Sequence, residues 1–162
     1  MNPLAIILSH VNILGVDSPN QFDKSSFTTS PYVKRVEKPW GYELIFTPEN
    51  VSYTGKLMHL KAGTRQSLQY HDKKIETYYL GSGRGGVIIE NSQGELEEVE
   101  FEANKGYTTH VGQKHRIFGI TDCDIIEFST PELGTTFRLE DDYKRTDETE
   151  EVRKQANRGW DQ

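Results

Sequence analysis

The sequence predicts an all-β fold, an antiparallel double-sheet jelly roll, and three observations lead to this prediction. Short segments of strand length, apolar or alternating, follow one another from residue 32 to residue 140. The chain has 14 glycines, and Gly- and Asn-containing turns separate the segments. No convincing amphipathic helix pattern occurs before Thr146, so the predicted strands must bury their apolar faces against one another.

The individual strands are predicted from apolar clusters or from the alternation of apolar and polar residues. The sequence Asn91-Ser92-Gln93-Gly94 predicts a turn between two of them. In chain order, the predicted strands cover residues 42–46, 53–62, 65–71, 75–83, 84–90, 95–101, 106–112, 115–120, 123–129 and 135–140.

A chain of 162 residues is expected to build one core, which we place in residues 32–145. Residues 1–31 are expected to be an N-terminal extension or linker. The apolar residues 4–16 are a poor signal peptide or membrane span, because no cationic segment precedes them and polar residues interrupt them. The charged tail, residues 146–162, is compatible with a short docked helix or with a frayed end.

The net charge and the cysteine content limit which binding partners and which cellular compartment are compatible with the sequence. The net charge is −6 and the basic residues are scattered, which argues against nucleic acid, because a phosphate backbone requires a continuous basic stripe. A small anionic ligand remains compatible with this charge. Cys123 is the only cysteine, so no intramolecular disulfide can form, and we expect a buried thiol in a cytoplasmic protein.

Four residues form a predicted metal site. Gln69 and His71 are two residues apart in a predicted strand and therefore point to the same side. A turn over the polar residues that follow would bring the next strand back alongside, so that Glu76 faces His71. His115 opens another predicted strand. Two imidazoles, a carboxylate and an amide oxygen suit a divalent ion such as Zn, Mn, Fe, Co or Ni.

Such an ion would favour the chemistry of a sugar or sugar phosphate, because it could stabilise a developing enediolate while a base moves a proton. Candidate bases are Glu127 and Lys73, although a buried paired carboxylate and a solvated loop lysine are equally compatible with these positions. Arg65, Arg138 and Arg145 are candidates for phosphate recognition, because the guanidinium fork suits oxyanions.

The same residues carry a resemblance to a known family. Gly63, Gln69, His71, Glu76 and Gly83 have the spacing of the first cupin signature, with Gln69 where most cupins have a histidine. HVGQKH at 110–115 resembles the second signature at Gly112 and His115. The segments at 38–43, 63–71, 111–116 and 138–145 resemble the cupin domain of type II phosphomannose isomerases.

The resemblance implies a cupin jelly roll that holds a divalent metal and interconverts mannose 6-phosphate and fructose 6-phosphate. It also implies a catalytic role for Arg65 and a site-closing role for residues 140–145. Two other functions stay open: a cupin dioxygenase using Fe(II), or another metal-dependent cupin enzyme, and a non-catalytic module that binds sugar or metal. A flat sheet face makes a homodimer the expected assembly.

Overall fold

The computed structural model describes residues 24–160, and these fold mainly into β-strands. The chain divides into two compact units, Met1–Pro31 and Tyr32–Gln162. In the described part of the first unit, a single 3-10 turn covers Lys24–Ser26. The apolar segment at residues 4–16, for which we expected neither a signal peptide nor a membrane span, lies outside the described residues.

The second unit contains strands joined by short turns and ends in two short helical segments. The α-helix α1 covers Glu150–Arg153, and a 3-10 turn covers Ala156–Gly159. The strands are β1 (Lys34–Lys38), β2 (Gly41–Ile45), β3 (Thr54–Leu60), β4 (Leu68–His71), β5 (Glu76–Ser82), β6 (Gly85–Glu90), β7 (Leu96–Glu100), β8 (Gly106–Thr109), β9 (His115–Gly119), β10 (Cys123–Ser129) and β11 (Thr136–Glu140).

These strands form two antiparallel sheets, which confirms the predicted double-sheet jelly roll. One sheet has the order β1-β2-β3-β10-β5-β8, and the other has the order β11-β4-β9-β6-β7. Strand β1 was not predicted, because its sequence KRVEK is mostly charged. Residues 65–67 were predicted to be strand, but they make only an isolated bridge between Arg65 and Phe118 before β4 begins.

The core lies where the two sheets face each other. Val87 and Ile117 are register partners in one sheet, Met58 and Ile125 are partners in the other, and all four are almost fully buried. Cys123 is buried in the same cluster, as expected. The remaining members of the cluster are Trp40, Leu60, Tyr78 and Phe101.

The connection from His71 to Glu76 differs from the sequence prediction. We expected the strand after this turn to lie alongside β4, but β5 belongs to the opposite sheet and pairs with β10 and β8. Residues 72–75 therefore carry the chain from one sheet to the other. As a result, Glu76 faces His71 across the space between the two sheets, and both residues line the cavity there.

The outer face of the first sheet carries exposed apolar side chains, which is relevant to the predicted homodimer. Phe46 and Phe128 are exposed there, by 41% and 53%, next to the register row Leu44, Leu57 and Ile126. The homodimer nevertheless stays a prediction. Within residues 24–160, none of the helical segments has the length and apolarity that would let it cross a membrane.

Candidate metal centre and its charged surroundings

Three side chains converge at one end of the sandwich. His71 ends β4, Glu76 begins β5 and His115 begins β9, so each lies at one end of its strand. The Nε2 atoms of both histidines lie 3.1 Å from Oε2 of Glu76, and one ligand atom from each residue falls within 4.8 Å of the others. All three residues are buried. The structure thus brings together three of the four ligands predicted from the sequence.

The two histidine Nε2 atoms are buried and make no hydrogen bond. Nδ1 of His115 lies 2.9 Å from the carbonyl oxygen of Gln113, which can only accept, so Nδ1 carries the proton and Nε2 keeps its lone pair. Nδ1 of His71 lies 3.0 Å from the hydroxyl oxygen of Thr136. Two imidazole nitrogens and a carboxylate oxygen converge here, a set of atoms that fits a divalent cation.

Glu76 is held in its ionised form. Burial alone would raise the pKa of its carboxyl, but Lys74 and His71 hold it well below its ordinary value. The Tyr78 hydroxyl donates a hydrogen bond to Oε2, and Thr109 approaches the same atom at 3.4 Å. Burial, with a contribution from Lys74, lowers the pKa of His71 to about 4. Both groups are therefore in the protonation states that a metal ion requires at neutral pH.

Gln69, the fourth predicted ligand, lines the same cavity but has another partner. It is the register partner of His115 across β4 and β9. Its Oε1 atom accepts a hydrogen bond of 2.8 Å from the hydroxyl of Ser67. A carbonyl oxygen has a second lone pair, so this bond leaves Gln69 able to coordinate as well.

The two candidate bases differ in their surroundings. Glu127 is 2% exposed and lines the cavity. Burial raises the pKa of its carboxyl, against the opposing effect of Lys56 and Lys74. Lys73 is exposed and does not line the cavity, whereas the adjacent Lys74 is buried, with its Nζ 2.5 Å from Glu76 and 3.3 Å from Glu127. Sequence reasoning missed Lys74, because the sequence does not show the path of residues 72–75. Only that path determines which of the two adjacent lysines points into the cavity.

Beyond Glu127, a chain of buried ion pairs continues along the cavity wall. Nζ of Lys56 lies 3.0 Å from Glu127 and 3.2 Å from Glu132. The Glu132 carboxylate pairs with the guanidinium of Arg158. Nη1 of Arg158 in turn lies 3.0 Å from Oε1 of Glu148. Opposite charges therefore alternate without interruption from the metal ligands to the C-terminal residues.

The predicted arginines occupy three different environments. Arg138 and Arg145 line the cavity, but each is paired, Arg138 with Glu148 at 3.0 Å and Arg145 with Asp141 at 2.6 Å. Arg65 is half-exposed, does not line the cavity, and makes a bidentate pair with Asp142 at 2.7 and 3.3 Å. That pair raises the pKa of Arg65.

The C-terminal tail supplies cavity residues that the sequence did not reveal. Glu148, Arg153 and Arg158 line the cavity from this segment. Of the two readings of the tail, the structure has the short docked helix α1, which begins after Thr149, whose hydroxyl caps it by accepting from Val152. The cavity itself has a volume of about 40 Å³. A metal ion and a few waters would fill this space.

Comparison with known proteins defines the fold but not the activity. No family profile matches the chain, and no curated protein matches it. Among solved structures, oxalate decarboxylase from Bacillus subtilis superposes with a TM-score of 0.57 and 20% identity, over 77% of this chain and 33% of that one. KdgF from Halomonas sp. superposes with a TM-score of 0.51 and 14% identity, over 59% of this chain and 82% of that one.

The chain spans about a third of the length of the oxalate decarboxylase chains that it matches. At these identities the likeness is one of backbone architecture. It agrees with the strand order described above, and the chain therefore has the cupin jelly-roll fold.

Proposed function

We propose that this protein is a metal-dependent isomerase of a sugar or sugar phosphate that works through an enediol. The observation that carries the proposal is the convergence of His71, Glu76 and His115 beside a cavity carboxylate whose pKa is raised, that of Glu127. A metal ion there would supply Lewis-acid stabilisation of developing negative charge. The resemblance to type II phosphomannose isomerases supports the same chemistry.

In this proposal, Glu127 is the acid and base. Its carboxylate removes the proton from the carbon that bears the hydroxyl, and the resulting carboxylic acid returns the proton to the former carbonyl carbon. A second proton moves between the two substrate oxygens, so the reaction is a net isomerisation. Burial raises the pKa of Glu127, which makes its carboxylate a stronger base than an exposed one.

Lys74 is the positioning residue, in place of the exposed Lys73. Its ammonium group lies between the carboxylates of Glu76 and Glu127, which keeps the two negative charges apart in a buried site. Gln69 is the proposed fourth ligand, with Oε1 oriented by Ser67. The metal is a divalent ion whose identity we leave to experiment, although the matched oxalate decarboxylase contains Mn(II) centres.

Proton NMR in deuterated water tests this proposal directly. The protein, loaded with each candidate metal, is incubated with a panel of aldose and ketose phosphates and with the unphosphorylated sugars. We expect deuterium to enter at the carbon next to the carbonyl, and a chelator or Glu127→Gln to abolish the exchange. The absence of exchange with every sugar, in protein shown to carry stoichiometric metal, would contradict the proposal.

A second candidate function is an Fe(II) dioxygenase. The specific observation in its favour is that the three clustered side chains are two histidines and one carboxylate. This leaves coordination positions for substrate and oxygen. Oxygen consumption that requires Fe(II), in the absence of proton exchange, would favour the dioxygenase over the isomerase.

A further inference from the structure

The carboxylate of Glu148 lies in a nest of four cations. Its Oε2 atom is 3.0 Å from Nη2 of Arg138 and 3.6 Å from Nζ of Lys38. Its Oε1 atom is 3.0 Å from Nη1 of Arg158 and 3.5 Å from Nε of Arg153. The residue is only 5% exposed. Four cations around one carboxylate are more than a single ion pair requires.

Two of these cations belong to the sheets, whereas Glu148 does not. Lys38 ends β1 and Arg138 lies in β11. Glu148 belongs to the C-terminal strap, which we define as residues 146–160. The strap is attached to the sheet by a backbone bridge, in which Glu148 and Thr136 exchange hydrogen bonds of 3.0 and 3.1 Å. Arg138 also donates from its backbone to Asp147 and from its side chain to the carbonyl oxygen of Thr146. The nest is therefore open to another anion only when the bridge and these contacts break together.

The cavity is too small to enclose an organic substrate unless part of its wall moves. At about 40 Å³, the cavity is far below the roughly 300–1,000 Å³ of sites that hold organic ligands. The strap supplies Glu148, Arg153 and Arg158 to that wall. It contains only a four-residue α-helix and a four-residue 3-10 turn, so little of it is held by regular secondary structure of its own.

We propose that Lys38 and Arg138 bind the anionic group of the substrate, a phosphate or a carboxylate, and that Glu148 occupies this site in the free protein. The link to a substrate rests on the proposed function, but the anion site itself does not. Nε of Arg138 is buried without an acceptor, so a donor remains for the additional oxygens of a phosphate.

Competition between Glu148 and the substrate anion couples binding to opening. A tethered carboxylate competes at a high effective concentration, so free anions bind weakly unless they make more contacts than Glu148 does. An anion that displaces Glu148 releases the side chain that holds the strap to the nest. The same event then enlarges the cavity at the moment when the substrate needs the space.

Metal-free protein in the presence of a chelator provides the test, because anion binding is then measured apart from any catalysis. The probe is inorganic phosphate, titrated by calorimetry at constant ionic strength. Glu148→Gln should bind phosphate at least about tenfold more tightly than the unaltered protein, because the internal competitor has lost its charge. Its lowered melting temperature should recover in phosphate but not in sodium chloride.

The matched control is Glu100→Gln, which makes the same substitution at the exposed partner of Arg84 and should leave phosphate affinity unchanged. Adding Arg138→Gln to Glu148→Gln should cancel the gain. Equal phosphate affinity in Glu148→Gln and Glu100→Gln would overturn the proposal and leave the isomerase chemistry untouched.

Hydrogen exchange of the unaltered protein gives an independent readout, which does not depend on any variant folding. Saturating phosphate should accelerate amide exchange in the strap and leave β4 and β9 unchanged, because opening breaks the bridge between Thr136 and Glu148. Slower or unchanged exchange in the strap would show that the four cations are a structural ion-pair cluster and would refute the proposal.

Discussion

Nζ of Lys74 lies 2.5 Å from Oε1 of Glu76, on the side of the carboxylate away from the two histidines. This contact occupies one carboxylate oxygen and leaves Oε2 to face the Nε2 atoms of His71 and His115. The arrangement depends on the connection between the sheets, because residues 72–75 place the lysine beside the first residue of β5. The same four residues thus determine both the ligand geometry and the charge balance of the site.

Removing either histidine should remove the metal. We expect His71→Ala and His115→Ala each to reduce bound metal at least about tenfold. Each substitution leaves only one histidine and one carboxylate of the cluster, which are too few ligands to hold the ion tightly. Metal content is measured by elemental analysis after equilibration with Zn, Mn, Fe, Co or Ni. His110→Ala is the matched control, since His110 is exposed and outside the cluster. Normal metal content in both variants would rule out the site.

Adjacent lysines offer a matched pair for the buried charge network. Lys74→Met should lower the free energy of unfolding of the metal-free protein by about 3–5 kcal/mol, because it leaves Glu76 and Glu127 buried without their common cation. Lys73→Met should change it by less than about 0.5 kcal/mol, because that side chain is exposed. Urea unfolding measures both. Equal effects at the two positions would contradict the described burial.

Stability should fall as the solution becomes acidic. Burial would raise the pKa of Glu148 and Glu132, but the neighbouring cations, Arg158 first for Glu132 and Lys38 first for Glu148, hold both below the ordinary value of 4.5. A carboxyl whose folded-state pKa is depressed contributes stability above its unfolded-state pKa and loses it as the pH falls through the folded-state value. Unfolding midpoints in urea should therefore decrease progressively below about pH 4.5.

Glu127 has a raised pKa, so its own contribution to stability increases as the pH falls. More buried carboxyls have a lowered pKa than a raised one, so the net effect of acid is still a loss of stability. Glu148→Gln serves as the control for the acid effect, because it removes one of the titrating groups. The slope of stability against pH should become shallower in that variant. An identical slope would mean that Glu148 does not contribute to acid sensitivity.

Cys123 should be inert in the folded protein. Burial raises the pKa of its thiol to about 11, and the side chain is packed in the core. Because the thiolate is the reactive form, a thiol reagent at pH 8 should label the folded protein far more slowly than the protein unfolded in urea. Labelling at similar rates in both states would indicate that the core opens readily around β10.

Substitution of Arg65 distinguishes a role in substrate binding from a role in stability. Arg65→Ala should leave bound metal unchanged and alter the free energy of unfolding by less than about 1 kcal/mol, because the pair with Asp142 is about half-exposed. It should weaken the binding of a sugar phosphate, measured by calorimetry, if the role implied by the resemblance applies. Unchanged affinity would exclude Arg65 from oxyanion recognition.

Local patterns explain what the sequence could and could not predict. A strand of alternating or clustered apolar residues can be recognised from its own short sequence. For this reason, strands such as β9 and β10 were predicted within a residue or two of their bounds. The placement of β5 in the opposite sheet depends on the path of residues 72–75, which no alternation records. The burial of Lys74 rather than Lys73 follows from the same path. The clustering of His71, Glu76 and His115 was therefore predictable, whereas the lysine that balances their charge was not.

The nest around Glu148 joins residues from the two ends of the second unit, since Lys38 lies on its first strand and Arg158 in its final turn. During synthesis, the ribosome releases Lys38 more than a hundred residues before the chain can supply these partners. A nascent chain that has already formed its sheets would hold Lys38 and Arg138 without Glu148, the carboxylate that they share, until the strap emerges. Docking of the strap should therefore be the last step of folding, and the cavity should acquire its charge balance only then.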